Sequence, residues 1–113
     1  MAIVLLTGKT RQKYKFTVHS KNVNFNAVGA VYAITRSYLK ANGITTTHNI
    51  IYIGQTSDLS YRFDNHHQID CFNLHNWNRI CVHPDGNEAS RLEKEHDLID
   101  KYNPPCNSFA CFA

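Results

Sequence analysis

The sequence predicts an α/β fold of the α+β kind: a small central antiparallel β-sheet flanked by helices, with an N-terminal β-hairpin extension. Three observations predict it. Polar and apolar residues alternate near the N-terminus, two further runs rich in Val, Ile and Tyr flank a turn signal, and a segment near the C-terminus carries helix caps.

The apolar run Ile3-Val4-Leu5-Leu6, the turn-like Thr7-Gly8-Lys9-Thr10, and the alternating Lys13-Tyr14-Lys15-Phe16-Thr17-Val18 read as a hairpin with its basic residues on the open face. Residues 30–36 and 49–54 read as strands of a second hairpin, with Ala41-Asn42-Gly43 in its long loop. Its strands carry Tyr32 and Tyr52. Ser57 before Asp58, with Leu59 and Phe63 four apart, predicts a helix over 58–67 in which Arg62 and His66 share a face. A short helix or turn follows at 69–75, then a third central strand at 79–83, ended by Pro84-Asp85-Gly86. Asn87 is placed to cap a helix over 88–102, which stops before Pro104-Pro105.

A chain of 113 residues with 42% hydrophobic residues supports one core. We expect a single domain over 1–113, with the hairpin extension at 1–28, the core at 29–107 and a tail at 108–113. The first apolar run falls far short of a membrane span or an export signal, which predicts a cytoplasmic protein with no membrane partner. In that compartment Cys71, Cys81, Cys106 and Cys111 are expected as thiols and not as disulfides. The net charge of +3 is unevenly spread. Residues 1–24 carry Lys9, Arg11, Lys13, Lys15 and Lys21 with no acid, whereas residues 84–113 carry six acids against three bases. Such a polarity suits an anionic polymer on one face, with Lys9, Arg11, Lys13 and Lys15 as its candidate nucleic-acid contacts; a solvated charged strand pair is the plainer alternative.

Glu95 lies three positions after Leu92 and four before Ile99, on the stripe expected to face the core. A carboxylate there is costly unless it binds a cation or a strong donor, Arg62 or Arg91 being the plainer partners. Arg62 offers a planar fork suited to two phosphate oxygens. Tyr32 and Tyr52, taken singly, are ordinary strand residues.

Taken together, Ala30-Val31-Tyr32, Tyr52-Ile53-Gly54, the following segment through Arg62, Glu95-His96-Asp97-Leu98-Ile99 and the closing Asn107 resemble the GIY-YIG nuclease pattern, with Ala-Val-Tyr in place of Gly-Ile-Tyr. The resemblance spans residues 29–107. Tyr32 and Tyr52 are farther apart than is usual in that family, and the extra residues, near 38–48, are expected to lengthen the loop. The resemblance implies that Tyr32, Tyr52, Arg62, His66 and Glu95 form a catalytic site around one Mg2+ or Mn2+ ion held by Glu95. Tyr32, its pKa lowered by the cation and Arg62, would take a proton from water, Tyr52 and His66 would orient that water or tune Tyr32, and Asn107 would support the site.

The implied activity is metal-dependent hydrolysis of DNA one strand at a time, on single-stranded or locally unpaired DNA, with no obligate protein partner. Tyr38, Tyr61, His67 and Trp77 are available to stack on unpaired bases, although Trp77 is more simply a core residue. The alternatives are a duplex-cutting dimeric restriction-like or repair nuclease, and a non-catalytic nucleic-acid-binding module with the same fold. Cys71 with His75, and Cys81 with His83, lack zinc-finger spacing; buried thiols and surface histidines are the simpler reading, with a structural zinc as the lesser one.

Overall fold

Alternating apolar side chains commit the first half of the chain to strands, and the computed structural model describes residues 2–39, 41, 43, 46–60, 63 and 66–107. The strands are β1 (Ile3–Thr7), β2 (Lys13–Ser20), β3 (Ala30–Leu39), β4 (Thr46–Thr56) and β5 (Arg79–Pro84), with helices α1 (Ile69–Leu74) and α2 (Glu88–Tyr102). All strand pairs are antiparallel, in the order β1-β2-β5-β3-β4, so the N-terminal hairpin joins the sheet through β5. The fold is α+β.

Two cores lie on opposite sheet faces. Tyr32, Ile34, Ile80 and Val82 pack with Phe72 and Trp77 from the α1 region. Phe16, Val31, Ala33, Ile53 and Cys81 pack with Leu98 of α2. Thr17 pairs with Val82, which pairs with Tyr32, and Lys13 and Lys15 share the parity of Thr17. Both lysines therefore project from the Tyr32 face, on its half where Ile3 and Leu5 stay more than half exposed.

Four expectations need correction. The extra residues between Tyr32 and Tyr52 extend the strands as well as the loop, because Ser37 pairs with His48 and Leu39 with Thr46, past a bulge between Ile34 and Thr35. No α-helix occurs at the described residues of the segment 58–67, of which only Phe63 is helical, in a 3-10 turn. The Leu59 N–H bonds to the Val28 carbonyl at 2.8 Å, Asp58 Oδ1 accepts from the Ser60 N–H at 2.9 Å, and the His66 N–H reaches back three residues to Phe63. Residues 61, 62, 64 and 65 of that segment lie outside the described residues. Leu92, expected on the buried stripe of α2, is exposed, and the buried positions are Arg91, Asp97 and Leu98. Finally, Cys71 and Cys106 pair as a disulfide, because the turn after α2 returns the chain to α1; Cys81 is free and buried.

The second helix ends as its sequence predicts. Asn87 Oδ1 accepts from the Ser90 N–H at 2.8 Å, and Asn103 closes the C-terminus in the left-handed region at φ 47°. Asp97 ties this helix to the first hairpin. Its carboxylate accepts from the Thr10 N–H at 2.9 Å, the Thr10 hydroxyl at 2.8 Å and the Tyr14 hydroxyl at 2.6 Å. A Cβ at Gly8 would fall within the Asp97 carboxylate, so only glycine permits this approach.

Candidate active site

The β3–β4 register sets Tyr32 opposite Gly54 and Tyr52 opposite Ile34, on one sheet face. The tyrosine rings lie 6.0 Å apart. A Cβ at Gly54 would sit 2.6 Å from the Tyr32 Oη and 2.7 Å from the Tyr52 ring. Glycine is required there for space, since both phenols lean over it.

His66 enters from the turn after Phe63, with Nε2 2.7 Å from Tyr32 Oη. Its other nitrogen, Nδ1, accepts the Gln68 N–H at 3.0 Å and is therefore unprotonated. Burial, with nearby His67, lowers the His66 pKa to about 4. Near neutral pH the ring is thus neutral with its proton on Nε2, and it donates to the Tyr32 oxygen. Phe72 and His67 hold the ring, with centroids 4.9 and 4.3 Å away.

The free edge of β4 supplies the opposite wall. Asn107, in the short 3-10 turn Pro105–Asn107, clamps Ile53 at 2.8 Å on both sides, its Oδ1 accepting from the N–H and its Nδ2 donating to the carbonyl. Two residues on, the Gln55 N–H points the same way, toward the Glu95 carboxylate, and favours its charged form. Burial raises the Glu95 pKa, while His96 and this N–H pull it down. No ion pair of Glu95 occurs among the described residues; Arg91 instead donates to Gln55 Oε1 at 3.0 Å and to the Asp85 carbonyl at 3.1 Å.

The chain's own groups do not hold the Tyr32 phenol low. Burial, then Tyr52 and Glu95, push its pKa well up, and burial and Glu95 push Tyr52 the same way. Tyr32, Tyr52, His66 and Glu95 thus form one electrostatic cluster, while Arg62 lies outside the described residues. Lys9, Arg11, Lys13 and Lys15 are exposed and form no part of this cluster.

A cavity of about 590 Å³ adjoins the cluster, lined by Lys21, Phe25, Ser60, Phe63, Asn73 and Trp77 among others. Phe63 connects the two, its ring 5.0 Å from that of Tyr32. Trp77 is a core residue, 6% exposed, with Nε1 donating to Asn73 Oδ1 and Lys21 Nζ 5.1 Å above its ring. Tyr38 lies six residues along β3 from Tyr32, roughly 20 Å at strand rise, too far to stack on a base at the site. Sequence reasoning missed Phe25, Phe63 and Lys21 as cavity walls, and Arg91 as a buried cation. Sequence reasoning offered Arg91 only as a candidate partner of Glu95; its place in α2, seven residues before Leu98, was the signal for its burial.

Two phenols, a neutral imidazole and a half-buried carboxylate thus converge at the edge of a small antiparallel sheet. The GIY-YIG catalytic domain matches residues 28–109, most of the chain, and the chain belongs to the GIY-YIG family. It is therefore an endonuclease acting on nucleic acid, and nucleases of this family generally use a divalent metal ion. No curated protein and no solved structure matches the chain.

Proposed function

We propose that the protein hydrolyses DNA phosphodiester bonds one strand at a time, on single-stranded or locally unpaired DNA, with Tyr32 as general base and Glu95 as ligand of one Mg2+ or Mn2+ ion. The observation that carries this reading is the hydrogen bond from His66 to Tyr32. A donor fixed on the phenol oxygen favours the phenolate that must accept a proton from water.

Glu95 fits the ion. It is a half-buried carboxylate with no ion pair among the described residues, beside two phenolic oxygens, and hard oxygen donors suit Mg2+ or Mn2+. Such an ion supplies neutralising charge to the scissile phosphate and the departing 3'-oxygen. Its charge also opposes that of Glu95, one of the causes that keep Tyr32 protonated. Tyr52, touching Tyr32 across Gly54, orients the attacking water. His66 stays neutral and keeps its proton on Nε2, so it tunes Tyr32 and does not itself donate to the leaving group. Arg62 acts as a phosphate clamp, and Lys13 and Lys15, on the Tyr32 face, contact the strand beyond the cut.

The preference for unpaired DNA rests on the cavity beside Phe63. Its volume suits one extruded base, and Phe25, Phe63 and Lys21 supply aromatic and cationic contacts. The test compares one labelled strand, alone and in its duplex, at matched low salt in Mg2+, with wild type and Glu95→Ala. We expect faster cutting of the single strand and loss of cutting in the variant with binding retained. Equal or faster duplex cutting would overturn the strand preference and favour a dimeric duplex nuclease; near wild-type cutting by Glu95→Ala would overturn the metal assignment.

A further inference from the structure

We propose that Cys71, Cys106 and His75 form a second, thiolate-rich metal site, occupied by Zn2+ when the disulfide between the two cysteines is reduced. The ligand atoms of the three residues lie within 4.8 Å of one another. Cys71 and His75 are four apart at the end of α1, and that spacing sets both side chains on one side of the helix. Cys106 comes from the 3-10 turn beyond α2, its Cα 5.8 Å from that of Cys71.

His75 is the independent observation. Its ring is half-buried beside the two sulfurs and has no hydrogen-bond or ring partner among the described residues. The disulfide gives the imidazole nothing to do, whereas a metal does. Two thiolates and one imidazole are soft donors that select zinc over the hard ions suited to Glu95, and water completes the tetrahedron. The edges of a tetrahedral Zn2+ site with these donors are roughly 3.5 to 3.8 Å, from the usual Zn–S and Zn–N lengths. Bonded sulfurs are closer than that, about 2 Å. Disulfide and metal are therefore alternative states of one staple.

The exchange balances. A dithiol reductant passes two electrons to the Cys71–Cys106 bond and closes its own disulfide, and the two sulfurs each take up a proton. Binding Zn2+ releases those two protons to solvent and leaves two thiolates on the metal. Either state joins α1 to the turn that holds Asn107. One neighbour of the staple, Phe72, packs on His66 and Tyr52, and the other, Asn107, clamps Ile53. The staple thus fixes the β4 edge relative to the His66 turn, in reducing as in oxidising surroundings.

The test loads the full chain with Co2+ as a spectroscopic probe and with Zn2+ for stoichiometry, without Mg2+. It uses a Cys111→Ser background, oxidised or reduced by dithiothreitol that is then removed. We expect one Zn2+ per reduced chain and none in the oxidised chain, with thiolate-to-cobalt charge-transfer and tetrahedral d–d bands. Cys71→Ser should lose the two-thiolate spectrum. His75→Ala, a change at a side chain without hydrogen bonds, should weaken binding at least about tenfold, because direct ligands matter no less than the partners that orient them. No uptake by the reduced chain, equal uptake by the oxidised chain, or unchanged affinity in His75→Ala would each overturn the site, and the last two do not depend on the cysteine variant folding.

Discussion

At the scale of single residues, the site depends on one missing side chain and one fixed tautomer. Gly54 admits both phenols, so Gly54→Ala should move the Tyr32 and Tyr52 hydroxyls and cut the cleavage rate by about 100-fold, the order expected when a general base is misplaced. A variant that is folded by circular dichroism and cleaves at the wild-type rate would show that the close approach is unimportant. His66 also ties stability to pH. Its pKa is about 4 in the folded state against 6.5 for an ordinary histidine, so below pH 6.5 the unfolded chain binds the extra proton and stability falls as pH drops toward 4. The His48 pKa is lowered as well and contributes in the same direction. Urea midpoints at pH 7 and pH 5 should therefore differ less in His66→Gln than in wild type; an equal difference would contradict the assignment. Tyr32, Tyr52 and Glu95 stood out because the short motifs around them and their order survive in a single sequence, although the Tyr32–Tyr52 spacing does not. The His66 tautomer was not, because it depends on where the Gln68 N–H points.

At the scale of elements, local signals succeeded where the partners are local. The second helix begins at Asn87 and ends at Asn103 because each terminus is satisfied within a few residues. The segment after Ser57 misled for the opposite reason: the Leu59 N–H finds its acceptor at Val28, thirty-one residues back, and a caps-and-periodicity argument cannot see that bond. The long β3–β4 hairpin misled similarly, since turn residues marked its loop but cross-strand pairing set its length. Asp97 is the element-scale link that sequence reading counted only as an acid. It gathers three hydrogen bonds from Thr10 and Tyr14, and the Tyr14 pKa rises to about 12, with burial the first cause and this carboxylate the next. Asp97→Ala should leave the buried Tyr14 hydroxyl unpaired and cost about 3 kcal/mol in urea denaturation. A loss below about 1 kcal/mol would mean that water replaces the carboxylate at little cost.

At the scale of the whole molecule, the central strand β5 joins the N-terminal hairpin to the β3–β4 pair. The sequence suggested a hairpin added to a sheet. It did not indicate that β5 would separate β2 from β3, because strand order is decided by non-local packing. That order lays Lys13 and Lys15 on the Tyr32 face, while α2 packs across the opposite face and brings Glu95 toward Gln55 at the free edge of β4. No helix among the described residues is long and apolar enough to cross a membrane. In the proposed mechanism this arrangement makes the Tyr32 phenol the proton acceptor. The most direct test is single-turnover cleavage of a labelled strand by Tyr32→Phe, with binding measured in parallel. The change removes one oxygen and keeps the ring that packs against Phe63. A loss of about 100-fold or more in the cleavage rate with unchanged binding is predicted. Cleavage at the wild-type rate by the folded variant would contradict the claim and move the proton to another group.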